Sequence, residues 1–150
     1  MIVHHLTDAE CHELLSRSST GRLACVKDLQ PYIVPISFAL DPEANCLYGF
    51  STFGQKIEWM RWNPRVCVAV DEIADDRHWT SVLVTGRYEE LGLGGDGDQA
   101  RQRAETLLAQ RETWWLPATA RSAHGDDRET PIVYCIHINR VSGRRTARPA

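Results

Sequence analysis

Apolar residues recur along this chain at two spacings, and the switches between them mark out its elements. Cys11, Leu14 and Leu15 share one face at helical spacing. Thr7 and Glu10 just ahead form a capping box, with Leu6 and Cys11 placed as a hydrophobic staple, so a helix is predicted that ends in Ser18-Ser19-Thr20-Gly21. Period two then takes over. Residues 21–27 alternate, with Leu23 and Cys25 on one side and Ala24 and Val26 on the other. Asp28-Leu29-Gln30-Pro31 reads as a turn and residues 32–40 as a longer strand interrupted by Pro35. Proline has no N–H to give a ladder, so Pro35 marks an edge, a bulge or a break. A turn over residues 41–45 leads to a strand over 46–51, a short helix over 55–62 stopped by Asn63-Pro64, and a strand over 65–71. Residues 80–90 form another strand, with Val82, Val84 and Gly86 on one face. Residues 91–98 hold four glycines and read as a loop. Residues 98–112 read as a helix with Ala104, Leu107 and Leu108 as its apolar face, 113–130 as irregular, and 132–138 as the last strand.

Short strands joined by tight turns predict a mostly β fold with an antiparallel sheet rather than a doubly wound parallel one. A six-stranded barrel with peripheral helices fits the spacing. The chain of 150 residues is read as one domain, residues 1–150, long enough to bury a core.

Composition narrows the partners. With 43% hydrophobic and 25% charged residues this is an ordinary soluble composition, and the net charge of −3 argues against a nucleic-acid partner. Arg140, Arg144, Arg145 and Arg148 gather near the end and read as a solvated, frayed tail. No apolar run approaches the ~20 residues of a membrane span. The start, MIVHHLTDAE, lacks the pattern of a signal peptide, so the expected location is the cytoplasm. Five cysteines without a Cys-x-x-Cys read as buried free thiols. His4, His5, Cys11 and His12 lie close in sequence but lack a zinc-site spacing, and no metal is expected.

The segment FSTFGQKIEWMRWNPRVCVAV, residues 50–70, carries the most chemistry. A strand ends in the hydroxyls Ser51 and Thr52, turns at Phe53-Gly54, and opens a helix at Gln55-Lys56. Hydroxyls, free helix N–H groups and a lysine are parts suited to a phosphate. The same pattern also occurs in an ordinary strand–turn–helix capped by a hydroxyl residue. The Walker spacing is missing.

Four stretches, in order, resemble the pyridoxamine 5′-phosphate oxidase-like flavin-binding split barrels, and within them the small branch that includes the nitroimidazole-resistance proteins. They are GRLACV (21–26), YIVPISFALD (32–41), LYGFSTFGQKIEWMRWNPRVCVAV (47–70) and WTSVLVTGRYEEL (79–91), with IHINRVSGRR (136–145) similar to the family's close. The resemblance implies a homodimer with two flavin sites, each built from both subunits, and FMN as cofactor. It implies that Gln55 and Lys56 contact the flavin phosphate, helped by Ser51, Thr52 and Gly54. Other branches often carry arginine at the position of Gln55, so FAD is allowed here. Pro35, Ile36, Ser37 and Phe38 would lie along the isoalloxazine edge, partly through backbone atoms. Trp79, Thr80, Ser81 and Val82 would border the ring from the next strand. The arginine and histidine pattern that binds substrate in true pyridoxamine phosphate oxidases is not evident, so vitamin B6 oxidation is not carried over.

The expected protein is thus a flavin-dependent oxidoreductase that takes electrons from NAD(P)H or another reductant and passes them to a small organic acceptor such as a nitroaromatic. The cofactor carries the redox chemistry, so no catalytic side chain is assigned. Ser37 and Ser81 interrupt apolar runs, where each wants either a backbone partner or a flavin atom. Trp59 and Trp62 read as packing or dimer contacts, and Trp79, Trp114 and Trp115 as pocket walls. His78 and His124 read as surface histidines. The rival class is a non-catalytic carrier or sensor module that binds flavin or heme; deazaflavin is a further ligand of related barrels.

Overall fold

A computed structural model describes residues 1–92, 96–111 and 131–146. The elements run β1 (Val3–His5), α1 (Asp8–Arg17), β2 (Thr20–Lys27), β3 (Gln30–Asp41), β4 (Cys46–Ser51), α2 (Gln55–Trp62), β5 (Arg65–Asp75), β6 (His78–Glu90), α3 (Asp96–Ala109) and β7 (Ile132–Thr146). All pairings are antiparallel, in the order β1-β7-β4-β3-β2-β5-β6, and β6 also pairs with β7. That last pairing closes six strands, β2 to β7, into a ring, with β1 added outside as a seventh. Closure removes the open edges that a flat sheet would leave.

The predicted caps and turns form where local chemistry is strong. Thr7 Oγ1 accepts from the Glu10 N–H at 3.2 Å and Glu10 Oε1 accepts from the Thr7 N–H at 3.0 Å, the reciprocal box expected from the sequence. The β2–β3 turn is tighter than predicted. Asp28 and Leu29 alone make it, both at positive φ (49° and 64°), and Gln30 and Pro31 already pair with Lys27 and Val26. Two left-handed residues in succession match the twist of the flanking strands. Leucine is an unusual occupant there, so the sequence signal for this turn is weak.

The barrel interior holds Leu23, Phe38, Val68, Val82 and Tyr134, each almost free of solvent. Helix α1 closes one mouth with Cys11, Leu14 and Leu15; there the Leu6 N–H donates to the Gly143 carbonyl. Helix α2 closes the other with Ile57 and Met60, where the Tyr88 N–H donates to the Pro64 carbonyl and the Tyr32 and Trp59 rings lie 5.5 Å apart. A second cluster lies outside the ring, where Ala39, Cys46, Tyr48, Val133 and Cys135 meet Leu91, Ala104 and Leu108. It is anchored by Asp41, fully buried, which accepts from Arg103, from Tyr48 Oη at 2.9 Å and from the Glu43 and Ala44 N–H groups. The Arg103 guanidinium holds that carboxyl well below the usual range despite its burial.

Several expectations are corrected. Strand β7 does not end at Ile138 but runs to Thr146, so Arg140, Arg144 and Arg145 stand in a strand rather than on a frayed tail. Only small or polar residues follow Val141, and the strand is held by the long partner β6. Strand β5 likewise extends past Asp71 to Asp75, and β6 starts at His78. Both extensions are exposed, so no alternation marks them. Helix α3 spans Asp96–Ala109, shifted from the predicted 98–112. Strand β1 carries no apolar face, so no sequence pattern announces it. Trp114, Trp115, His124, Arg148 and the whole of the expected irregular segment 113–130 lie outside the described residues.

Cys11, Cys25, Cys46 and Cys135 are buried free thiols, as expected, while Cys67 is half-buried. Burial pushes the Cys11 and Cys25 thiols up. In a native thiol titration with an aromatic disulfide reagent, four of the five cysteines are therefore expected to stay silent until denaturant is added. Cys67 is expected to react first. Rapid labelling of a second thiol without denaturant would contradict this core.

Candidate functional site

The site begins where β3 and β4 part. Their pairing runs only from Phe38↔Gly49 to Asp41↔Cys46. Ahead of Phe38, β3 pairs with β2 alone, and beyond Gly49, β4 pairs with β7 alone. Pro35 therefore sits on a free flank, the edge position its missing N–H demands. Between residues 35–37 and the chain beyond Gly49 the two strands share no pairs, which leaves a cleft in the ladder. Gly49 is on the last paired rung: a Cβ there would stand 2.2 Å from Tyr134 Cζ, so the tyrosine crosses beneath β4 where a side chain would be.

Beyond Ser51 the chain turns into α2, where the candidate phosphate-binding residues lie. Ser51 is buried, and its Oγ donates to the Thr52 carbonyl at 2.8 Å. Thr52 is half-buried beside it. Gly54 is the N-cap of α2, in extended backbone, with no side-chain cap and no atom within 4 Å of where its Cβ would be. The first N–H groups of α2 thus have no side-chain cap, and they carry the positive end of the helix dipole. Lys56 stands in this first turn, half-buried. Among the described residues it has no ion pair, although its neighbour Glu58 is engaged by Lys27 at 3.4 Å. Burial pushes the Lys56 ammonium down. A cation partly stripped of water, without a counter-charge, at the positive end of a helix is unfavourable on every count unless an anion joins it.

The remaining candidates divide. Ile36 and Phe38 point into the core, so toward the cleft they offer backbone only; the Phe38 N–H is already given to the Ser19 carbonyl at 3.0 Å. Ser37 takes the backbone option, its Oγ donating to that same carbonyl at 3.2 Å. Pro35 and Gln55 are exposed. On β6, Val82 is buried in the core, Trp79 and Thr80 are half-exposed, and Ser81 is exposed rather than buried as expected, because it alternates onto the outer wall. Trp62 is 67% exposed, with the Lys27 ammonium 5.4 Å from its ring centre, whereas Trp59 packs against the core. His78 is a surface residue, its Nδ1 2.8 Å from Asp75 Oδ1.

Within one chain the two halves of the predicted site do not meet. Residues 35–38 lie beside Ser51–Lys56, but Trp79–Val82 lie across β2 and β5, three strand spacings or about 14 Å around the wall. Trp79 and Thr80 instead line a groove of about 820 Å³ by the α1 mouth, with His4, Arg17, Glu72, His78 and Arg145. The charged residues of this wall escape a sequence reading because their segments look like a tail and a loop.

A closed six-stranded ring with helices over its mouths and one parted strand pair defines a split β-barrel. The sequence model for pyridoxamine 5′-phosphate oxidase matches residues 7–145. An uncharacterized protein of Rhizobium meliloti is 39% identical over 153 residues, covering 96% of this chain and 95% of that one. Among solved structures, a FAD-binding protein from Mesorhizobium loti is 41% identical with a TM-score of 0.80, covering 98% of this chain and all (100%) of that one. A FAD-binding protein from Mycobacterium smegmatis, at 20% identity and a TM-score of 0.68 over 96% of this chain and 100% of its own, shares the fold. This chain belongs to the pyridoxamine 5′-phosphate oxidase family. No described helix is long and apolar enough to cross a membrane.

Proposed function

We propose that this protein binds a phosphorylated flavin at the Ser51–Lys56 turn and acts as a flavin-dependent oxidoreductase on a small organic acceptor such as a nitroaromatic. One observation carries the reading: Lys56 is half-buried and unpaired among the described residues, at a helix start that no side chain caps. Lys56 would meet the phosphate with its charge, the first amides of α2 with their N–H groups, and Thr52 with its hydroxyl. The free flank of β3 at Pro35–Ser37 would support the ring through its backbone. FMN and FAD share the phosphate that this seat requires, and the FAD-binding Mesorhizobium loti protein supports admitting both. A bound flavin would supply the hydride and electron transfer, while the chain positions it and shields one face.

The separation of residues 35–56 from Trp79–Val82 favours a homodimer in which each flavin is held between copies. The outer wall supports this, since Ile33, Ile73 and Leu83 are 63%, 69% and 43% exposed and a second copy would cover them. Free cysteines fit a reducing, cytoplasmic setting. The test is titration of flavin-free protein with riboflavin, FMN and FAD, followed by NAD(P)H oxidation with a panel of nitroaromatic acceptors. Phosphorylated flavins are expected to bind at least tenfold more tightly than riboflavin. Equal affinity for riboflavin would remove the phosphate seat from the reading, and flavin binding without turnover would make the protein a carrier.

A further inference from the structure

The outer wall of β6 and β7 carries a second set of charges that the flavin-phosphate seat does not use. Arg140, Ser142 and Arg144 alternate outward on β7, paired respectively with Thr85, Leu83 and Ser81 of β6. His5 of β1 pairs with Arg144, and Trp79 stands at the end of the row. These residues line a groove of about 520 Å³ in which no carboxylate takes part. Neither arginine has an ion pair among the described residues, and both are exposed. Asp71 lies on β5 opposite Ser81, a full strand further from Arg144.

The larger neighbouring groove shares Trp79 but differs in charge. There Arg17 is bound to Glu72 at 3.0 Å, Arg145 to Glu10 at 2.8 Å, and His78 to Asp75. Its cations are already satisfied, so an anion entering it must displace carboxylates. In the smaller groove nothing has to be displaced. Two free guanidiniums along an extended strand, hydroxyls at Ser81 and Ser142, and an indole at one end suit a ligand with a short row of phosphates and a flat heteroaromatic base.

We infer that the groove of His5, Trp79, Ser81, Arg140, Ser142 and Arg144 binds the adenosine diphosphate half of a dinucleotide. This rests on the proposed flavin function. The ligand half could come from FAD or from a nicotinamide reductant; both present the same pyrophosphate and adenine. In one chain the groove lies around the wall from the Lys56 seat, with β2 and β5 between β3 and β6; a dinucleotide shared with that seat is expected to take this groove from the second copy.

The double variant Arg140→Gln/Arg144→Gln tests this in the full chain. Both side chains are exposed and unpaired, so the unfolding midpoint is expected to hold. If the groove holds the FAD adenylate, FAD affinity falls about tenfold or more while FMN affinity stays within about twofold. If it serves the reductant, the FAD to FMN ratio holds and the KM for NAD(P)H rises by a similar factor. Mixing this variant with Lys56→Ala in equal amounts and re-forming dimers restores about a quarter of the tight FAD sites in the first case, because half of the dimers are then mixed and one of the two sites in each mixed dimer is intact. ADP alone, titrated against tryptophan fluorescence with Trp79→Phe as control, reads the groove without any flavin. If wild-type protein binds no flavin but binds ADP through these arginines, the flavin reading fails and the groove survives. An unchanged ratio with unchanged KM and ADP binding, or an equal loss of FMN and FAD, overturns the inference.

Discussion

Replacing Lys56 by methionine is expected to lower FMN and FAD affinity by about 10- to 100-fold and, at the same time, to raise the melting temperature of the flavin-free protein. The two effects have one cause. A charge-assisted contact to a phosphate is worth about 1.5–3 kcal/mol, and each 1.4 kcal/mol is a factor of ten in affinity. Without the phosphate, the same charge is a liability: it is half-buried, unpaired among the described residues, and set at the positive end of α2. Methionine keeps the aliphatic stem that packs near Ile57 and discards the ammonium, whereas alanine would also lose packing. A residue with a purely structural part would move both readouts in the same direction. Loss of stability together with loss of affinity would therefore sink this account.

The pH dependence gives the same test without a ligand. Burial lowers the Lys56 pKa in the folded state relative to 10.5 in the open chain. Between those two values the unfolded chain binds more protons than the native one, so native stability contributed here rises with pH. Below the folded value both states are protonated and the full cost of burying the charge is felt. The wild-type flavin-free protein should thus gain stability on the alkaline side, and Lys56→Met should lack that gain. Saturating FMN should abolish it in the wild type, because a phosphate at the seat restores the pKa. A wild-type slope that FMN does not alter would place the phosphate elsewhere.

How much of the fold is legible in the sequence depends on which physics wrote each element. The capping box at Thr7 and Glu10, the strand at Cys46–Ser51 and the helix at Gln55–Trp62 can be read there because capping, alternation and the Asn63-Pro64 stop act over a few neighbouring residues. The ends of β5 and β7 cannot, because apolar residues are sparse there, and β5 past Asp71 is exposed throughout; partner strands across the ring hold them. The same holds for the site. The Ser51–Lys56 seat is contiguous in sequence, and its parts can be named from it. Two features need the fold: the inward turn of Ile36, Phe38 and Val82, and the wall of two strands between Trp79 and Lys56. The arginine groove is hidden for a related reason. Arg140, Ser142 and Arg144 form an alternating outer face only once β7 is known to continue past Ile138.

Gly49→Ala is expected to be among the most damaging single substitutions in the chain, lowering stability by roughly 3 kcal/mol or more and the melting temperature by about 6–12 °C. The added Cβ would lie 2.2 Å from Tyr134 Cζ and 2.4 Å from its Oη. That ring has nowhere to retreat, being only 1% exposed and 5.4 Å from the Tyr88 ring. Among the described residues the Tyr134 hydroxyl has no hydrogen-bond partner, and burial pushes its pKa well up, so this side chain is held by shape, not by its polar end. Two further variants separate the contributions. Tyr134→Phe removes only the unsatisfied hydroxyl and should stabilise the protein by about 1 kcal/mol. Tyr134→Val leaves a cavity on its own, yet in combination with Gly49→Ala it should recover part of the loss, because the new methyl then has a place to go. Strict additivity of those two changes would mean that the ring and the glycine do not in fact compete for one space. The consequence reaches the site as well. Phe38, Gly49 and Tyr134 lie in one row across β3, β4 and β7, on the last rung before β3 and β4 part. If Gly49→Ala pushes β4 outward at that rung, Ser51 and the Lys56 turn move with it. Flavin affinity should then fall in the folded fraction, while Tyr134→Phe should leave it unchanged.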